Sequence, residues 1–212
     1  MSSAVKIKVC GITREEDAKA AINLGADFVG LNLYPHSPRV ITSDSISDLF
    51  VEIPRGKRVY VNVLPSATEL KKMLNLGFDY FQIHFDLGIP ISNLATWSKI
   101  VGVEKLWLAP RIPPGELFPR TVLEYADTFI LDSYAKSKYG GTGKTSNWKM
   151  FYELQTLYSH KKWILSGGLN AENVRDAIAV TEAQYIDVNS GVEFSPGVKD
   201  ARKLEAFVKH VR

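Results

Sequence analysis

Apolar and polar residues along this chain repeat one unit. A short β-branched or aromatic run is followed by a polar or glycine-rich turn, then by apolar residues at helical spacing. The runs predict strands at Val5–Val9, Asp27–Leu33, Arg58–Val63, Tyr80–Ile83, Lys105–Leu108, Thr128–Leu131, Trp163–Leu165 and Tyr185–Val188. Helical spacing predicts helices near Arg14–Leu24, Ser43–Val51, Ala67–Leu76, Ile91–Ile100, Glu116–Tyr125, Trp148–Leu157, Ala171–Ile178 and Asp200–Val211. Gly25 and Gly77 stand where helix C-caps belong, and Thr13 with Glu16 reads as a capping box. Prolines 90, 110, 113 and 114 interrupt the fourth and fifth units.

Strands alternating with helices imply parallel pairing through helical crossovers. Closing eight such units gives an α/β fold, a single (β/α)8 TIM barrel spanning residues 1–212 as one catalytic domain. An open doubly wound sheet is the competitor, but the glycine fingerprint expected after its first strand is missing. With one cysteine the chain cannot build a disulfide scaffold, which fits a reducing, cytoplasmic setting. The net charge of +3 is too small to argue for nucleic acid, and the basic residues Lys199, Arg202, Lys203, Lys209 and Arg212 read as a solvated helix face. No apolar stretch is long enough to span a membrane, and Met1-Ser2-Ser3-Ala4 leaves no room for a signal peptide before the first strand. With no exposed apolar stripe, a monomer is the expectation.

In a barrel, chemistry belongs at the C-terminal ends of the strands. Cys10, Asn32, Asn62, His84, Asp132 and Asn189 fall there, with Asp187 just inside. Strand alternation puts Lys8 on the same face as Cys10, where an ammonium favours the thiolate, the form that acts as a base. Asp132, after Phe129-Ile130-Leu131, is a candidate general acid or base. The loops Ser166-Gly167-Gly168-Leu169-Asn170 and Asn189-Ser190-Gly191-Val192-Glu193 follow the seventh and eighth strands, where barrels hold phosphate. Arg39, on the proline-stiffened stretch Tyr34-Pro35-His36-Ser37-Pro38, can grip a carboxylate with two parallel hydrogen bonds. Gly140 to Thr145 imitates the end of a nucleotide-binding P-loop, but Lys138 stands where its first glycine belongs. The long stretch 133–147 is the expected active-site lid.

Taken in order, these blocks resemble phosphoribosylanthranilate isomerase, a family of tryptophan biosynthesis. The likeness starts at Lys8-Val9-Cys10-Gly11-Ile12-Thr13-Arg14 and runs through Gln82-Ile83-His84 and Leu131-Asp132-Ser133 to Asp187–Glu193 and Ser195-Pro196-Gly197-Val198-Lys199-Asp200. The resemblance implies an Amadori rearrangement of an N-(5-phosphoribosyl)anthranilate to a 1-deoxyribulose phosphate. By it, Cys10 is the base that takes the proton from C2 of the sugar, and Asp132 is the acid that protonates the ring oxygen. Arg39 holds the anthranilate carboxylate, the backbone of Gly167, Gly168, Ser190 and Gly191 holds the phosphate, and Asp187 lines the sugar site. No cofactor and no metal are implied; the partner is a small phosphosugar. The chain departs from the family pattern at Leu33, at Phe85 and in the fifth unit, Trp107–Arg111, which bear on the anthranilate pocket. A related aminoaldose isomerase is the near alternative, although its first strand ends in aspartate. A non-catalytic phosphosugar-binding barrel is the distant one.

Overall fold

The computed structural model describes residues 4–133 and 147–212. The Gly140–Thr145 stretch and nearly all of the expected lid lie outside those residues. The strands are β1 (Lys6–Cys10), β2 (Phe28–Asn32), β3 (Arg58–Val63), β4 (Tyr80–Asp86), β5 (Leu106–Arg111), β6 (Thr128–Leu131), β7 (Lys162–Leu165) and β8 (Tyr185–Val188). They pair in sequence order, all parallel, and β8 closes on β1 to complete the barrel. The helices are α1 (Glu15–Asn23), α2 (Ile46–Glu52), α3 (Ala67–Leu76), α4 (Ile91–Val101), α5 (Trp148–Leu157), α6 (Val174–Thr181) and α7 (Ala201–Val211).

Local chemistry accounts for several helix ends. Ser66, Asn147 and Asp200 each accept hydrogen bonds from backbone N–H groups in the first turn of α3, α5 and α7. Gly25 and Gly77 take positive φ values of 93° and 99° just past α1 and α3, as the helix-stop reading expects. The capping box at Thr13 and Glu16 does not form. Arg14 occupies the N-cap, and the Thr13 hydroxyl donates instead to the carbonyl of Gly197 at 2.5 Å.

The helix predicted in the fifth unit is also absent. Only a 3-10 turn, Arg120–Glu124, stands in the Glu116–Tyr125 segment. Pro113, Pro114 and Pro119 lack the N–H a helix needs and push the preceding residues toward extended backbone. Pro110 sits inside β5, whose pairing with β6 ends at Leu108. After β8 the chain adds a hairpin that the strand pattern did not predict, β9 (Glu193–Ser195) against β10 (Val198–Lys199).

The core has two shells. Outward-facing strand residues such as Ile7, Val9, Ile83, Phe129 and Ile186 meet the helices, while Val59, Val61, Ala109, Ile130 and Ile164 pack inside the barrel with Cys10. Phe28, Tyr80 and Trp107 close the N-terminal end, their ring centroids 5.0–5.4 Å apart. Phe85 belongs to the outer shell, 5.9 Å from the Trp97 ring, so this departure from the family pattern packs against α4 rather than lining the barrel mouth.

Lys8 breaks the apolar interior. It is buried within the barrel and holds Asp187 of β8 at 2.9 Å, across the seam where β1 meets β8. Removing one partner of such a pair strands the other charge out of water. Lys8→Met is therefore expected to destabilise the fold by about 3–5 kcal/mol, read by denaturant unfolding. A change below about 1 kcal/mol, the scale of a surface pair, would contradict this placement.

Candidate active site

Alternation along β1 turns Lys8 and Cys10 to the same interior, with Cys10 opposite Gly30 of β2. A β-carbon on Gly30 would lie 2.8 Å from the Cys10 sulfur and 3.0 Å from Lys8 Nζ. The glycine thus makes room for both groups, and its role is close approach rather than unusual backbone geometry.

Cys10 and Asp187 line one cavity at the barrel mouth, and Asp132 joins them from the end of β6. Gly167 and Gly168 contribute from the loop after β7, and Ser190 and Gly191 from the loop after β8. The two loops interlock: a β-carbon on Gly191 would overlap the carbonyl oxygen of Leu169 at 1.9 Å. Gly167 has φ +92°, and a β-carbon there would sit 2.5 Å from the Ser133 nitrogen and 2.9 Å from Asp132 Oδ1. No hydrogen bond engages the backbone N–H of Gly167 or Gly168 among the described residues, so both remain free for an anion.

Burial shifts the titrating groups in ways the sequence did not reveal. It pushes the Cys10 thiol above its ordinary pKa, because desolvation outweighs the attraction of Lys8, and Asp187 adds repulsion. Lys8 does favour the thiolate, as its place on the same face leads one to expect, but the loss of water outweighs it. Burial also works against the charge on Lys8, but Asp187 and Cys10 overcome it and the pKa lies above the ordinary lysine value.

Asp132 is pushed up to about 6, first by desolvation and then by the Asp187 charge, against the pull of Ser133. Its Oδ1 accepts the Ser133 N–H at 2.7 Å, whereas Oδ2 has no hydrogen-bond partner among the described residues. A turn-capping role therefore uses one oxygen and leaves the other available to carry a proton.

The strand pattern placed His84 at the rim and left its role and that of Gln82 unassigned. Both are buried and line the cavity, with Gln82 Nε2 2.7 Å from His84 Nε2. Burial and the charges of Lys8 and Arg111 lower the His84 pKa to about 3, so the ring is neutral. The Gln82 carbonyl oxygen is buried without a partner. A buried acceptor left unpaired costs about 1–3 kcal/mol, which a donor from a ligand would recover.

Arg39 does not line this cavity. Its stem crosses Gly11, where a β-carbon would lie 2.6 Å from Arg39 Cδ, and its Nε and Nη2 hold Glu193 at 2.8 and 2.7 Å. Lys199 also belongs here rather than to a solvated face: it is buried, 2.9 Å from Glu193 Oε1. The sequence blocks contained both residues, but only the fold of the hairpin reveals their pairing.

A family model described as N-(5′phosphoribosyl)anthranilate (PRA) isomerase matches residues 7–210. An N-(5′-phosphoribosyl)anthranilate isomerase from Aquifex aeolicus (strain VF5) is 37% identical over 211 residues, covering 98% of each chain. The crystal structure of phosphoribosyl anthranilate isomerase from Thermus thermophilus superposes with a TM-score of 0.79 at 27% identity, covering 97% of both chains. Another phosphoribosyl anthranilate isomerase, solved with reduced 1-(o-carboxyphenylamino)-1-deoxyribulose 5-phosphate, superposes at 0.75 with 28% identity over 98% of each chain.

The Asp132 carboxyl carbon, followed by ¹³C NMR, is expected to titrate near pH 6. A midpoint near the ordinary aspartate value of about 3.9 would mean that water reaches the group freely.

Proposed function

We infer that this chain, which belongs to the N-(5′-phosphoribosyl)anthranilate isomerase family, catalyses an isomerisation in tryptophan biosynthesis. Its reaction is the Amadori rearrangement of N-(5-phosphoribosyl)anthranilate to 1-(2-carboxyphenylamino)-1-deoxyribulose 5-phosphate. The observation that carries this reading is one cavity lined by a carboxyl group held protonated to about pH 6, a thiol beside a buried lysine, and two glycines with free N–H groups.

Asp132 donates its proton to the ring oxygen of the furanose. The C1–O bond breaks as the nitrogen lone pair forms a cationic iminium. Cys10, as thiolate, then removes the proton from C2, and the electron pair flows to nitrogen to give an enol amine that tautomerises to the ketone. The iminium charge and Lys8 both favour the thiolate at that moment, offsetting the desolvation that otherwise keeps the thiol protonated. Asp187, fixed by Lys8 and by Ser166 Oγ at 3.3 Å, borders the sugar. The unpaired Gln82 oxygen accepts from a sugar hydroxyl.

The phosphate sits on the backbone of Gly167, Gly168, Ser190 and Gly191. Arg39 retains three of its five N–H donors for the anthranilate carboxylate. Among the described residues no cluster of three or more His, Cys, Asp or Glu could hold a metal ion, and the steps themselves are proton transfers. No described helix is long and apolar enough to cross a membrane, and a cytoplasmic location is part of the same reading.

The test follows the fall in anthranilate fluorescence when fresh substrate meets the protein. Turnover is expected in the wild type and a loss of about 10²–10⁴-fold in both Cys10→Ala and Asp132→Asn, the usual weight of acid–base groups. Near-wild-type rates in either variant would remove that residue from the chemistry. Binding of a phosphosugar without turnover by the wild type would leave only a binding role.

A further inference from the structure

Glu193 lies off the cavity, and proton transfer gives it no task, yet it is the most heavily bonded carboxylate among the described residues beside the site. Its Oε1 accepts from Arg39 Nε at 2.8 Å, Lys199 Nζ at 2.9 Å and the Gly197 N–H at 3.2 Å. Its Oε2 accepts from Arg39 Nη2 at 2.7 Å. These partners outweigh burial and hold the carboxyl below the usual carboxylate range.

Two features of the cluster point to a second anion. A guanidinium presents two edges that can each grip a carboxylate, Nε with Nη2 and Nη1 with Nη2. Glu193 fills the first, and Nη1 has no hydrogen bond among the described residues. Charge points the same way. Arg39 and Lys199 share the single charge of Glu193, while the nearby Asp17 is already paired with Arg14 and accepts the Lys199 backbone N–H. The cluster therefore carries one unneutralised positive charge with little exposure to water.

We propose that Glu193 is a positioning residue for carboxylate recognition. By filling the Nε/Nη2 edge of Arg39 it fixes the Nη1/Nη2 edge as the receptor for the substrate's anthranilate carboxylate. Gly11 beneath the arginine stem and Lys199, which shares Glu193 Oε1 with Arg39 Nε, hold the same geometry. The proposal rests on the isomerase reading and on Arg39 as the carboxylate clamp.

The experiment compares kcat and KM for N-(5-phosphoribosyl)anthranilate and for N-(5-phosphoribosyl)aniline, which lacks the carboxylate. Wild type, Glu193→Gln, Arg39→Ala and the double variant are measured on both substrates. A preference ratio taken on one preparation is unaffected by how much of that preparation is folded, so a poorly folding variant still gives an answer.

Glu193→Gln is expected to raise KM for the carboxylate substrate by roughly 10- to 100-fold, the weight of one charge-assisted hydrogen bond, with kcat and the aniline substrate little changed. The double variant is expected to lose no more preference than Arg39→Ala alone, since Glu193 acts through that arginine. Glu193→Asp, which keeps the charge, should restore part of the preference. Equal losses on both substrates with an active wild type would reduce Glu193 to a structural role and overturn the proposal. Full preference in Arg39→Ala would overturn the clamp and the proposal together. A wild type that turns over neither substrate would overturn the isomerase reading beneath both.

Discussion

Lys8 and Asp187 form an ion pair inside the barrel, where water would normally be needed to hold either charge. The pair spans the seam between the first and last strands, so it forms only when the barrel closes. Its position also governs the chemistry above it. Lys8 lies on the same face as Cys10, and Asp187 adds its negative charge to the environment of both Cys10 and Asp132. Such a pair adds little net stability over apolar packing, because desolvation consumes most of the attraction. Its value here is electrostatic: it fixes one positive and one negative charge at the bottom of the cavity before substrate arrives.

One physical cause acts on the proposed acid and the proposed base with opposite consequences. Desolvation raises Asp132 to about 6, which helps a group that must carry a proton. It also raises Cys10, which hinders a group that must lose one. In the proposed mechanism the hindrance is bearable because ring opening creates a cation beside the sulfur before the C–H bond is broken. The free enzyme thus holds both groups mainly in the protonated form at mildly acid pH, and the competent combination is a minority form throughout.

Much of this arrangement was legible in the sequence, because a strand's side chains alternate and a barrel rim collects its strand ends. Parity alone put Lys8 beside Cys10, and order along the chain put the two glycine loops after β7 and β8. What escaped depends on contacts between distant segments. Nothing local to Thr13 announces that its hydroxyl will bond to Gly197, leaving the capping box unformed. The basic residues near the C-terminus look alike in sequence, yet Lys199 lies on β10, buried against Glu193, while Arg202, Lys203, Lys209 and Arg212 meet solvent. Three prolines forecast trouble for the fifth helix without saying that a 3-10 turn would replace it. The net shift of Cys10 was out of reach for the same reason: a partner charge can be read from spacing, but the competing carboxylate and the loss of water cannot.

The pH dependence of kcat/KM tests the central claim, that a buried acid near 6 works with a thiol whose pKa lies above it. In the proposed mechanism the competent form has Asp132 protonated and Cys10 ionised. Between the two pKa values each unit of pH gains a tenfold share of thiolate and loses a tenfold share of protonated Asp132, so their product stays level. The expected profile is flat from about pH 6.5 to about pH 8.5, falling below the Asp132 value as thiolate is lost and again beyond the thiol's raised value as protonated Asp132 is lost. A tenfold fall for each unit above pH 6 would mean that Cys10 is already a thiolate in the free enzyme, and that Lys8 rather than burial sets its charge.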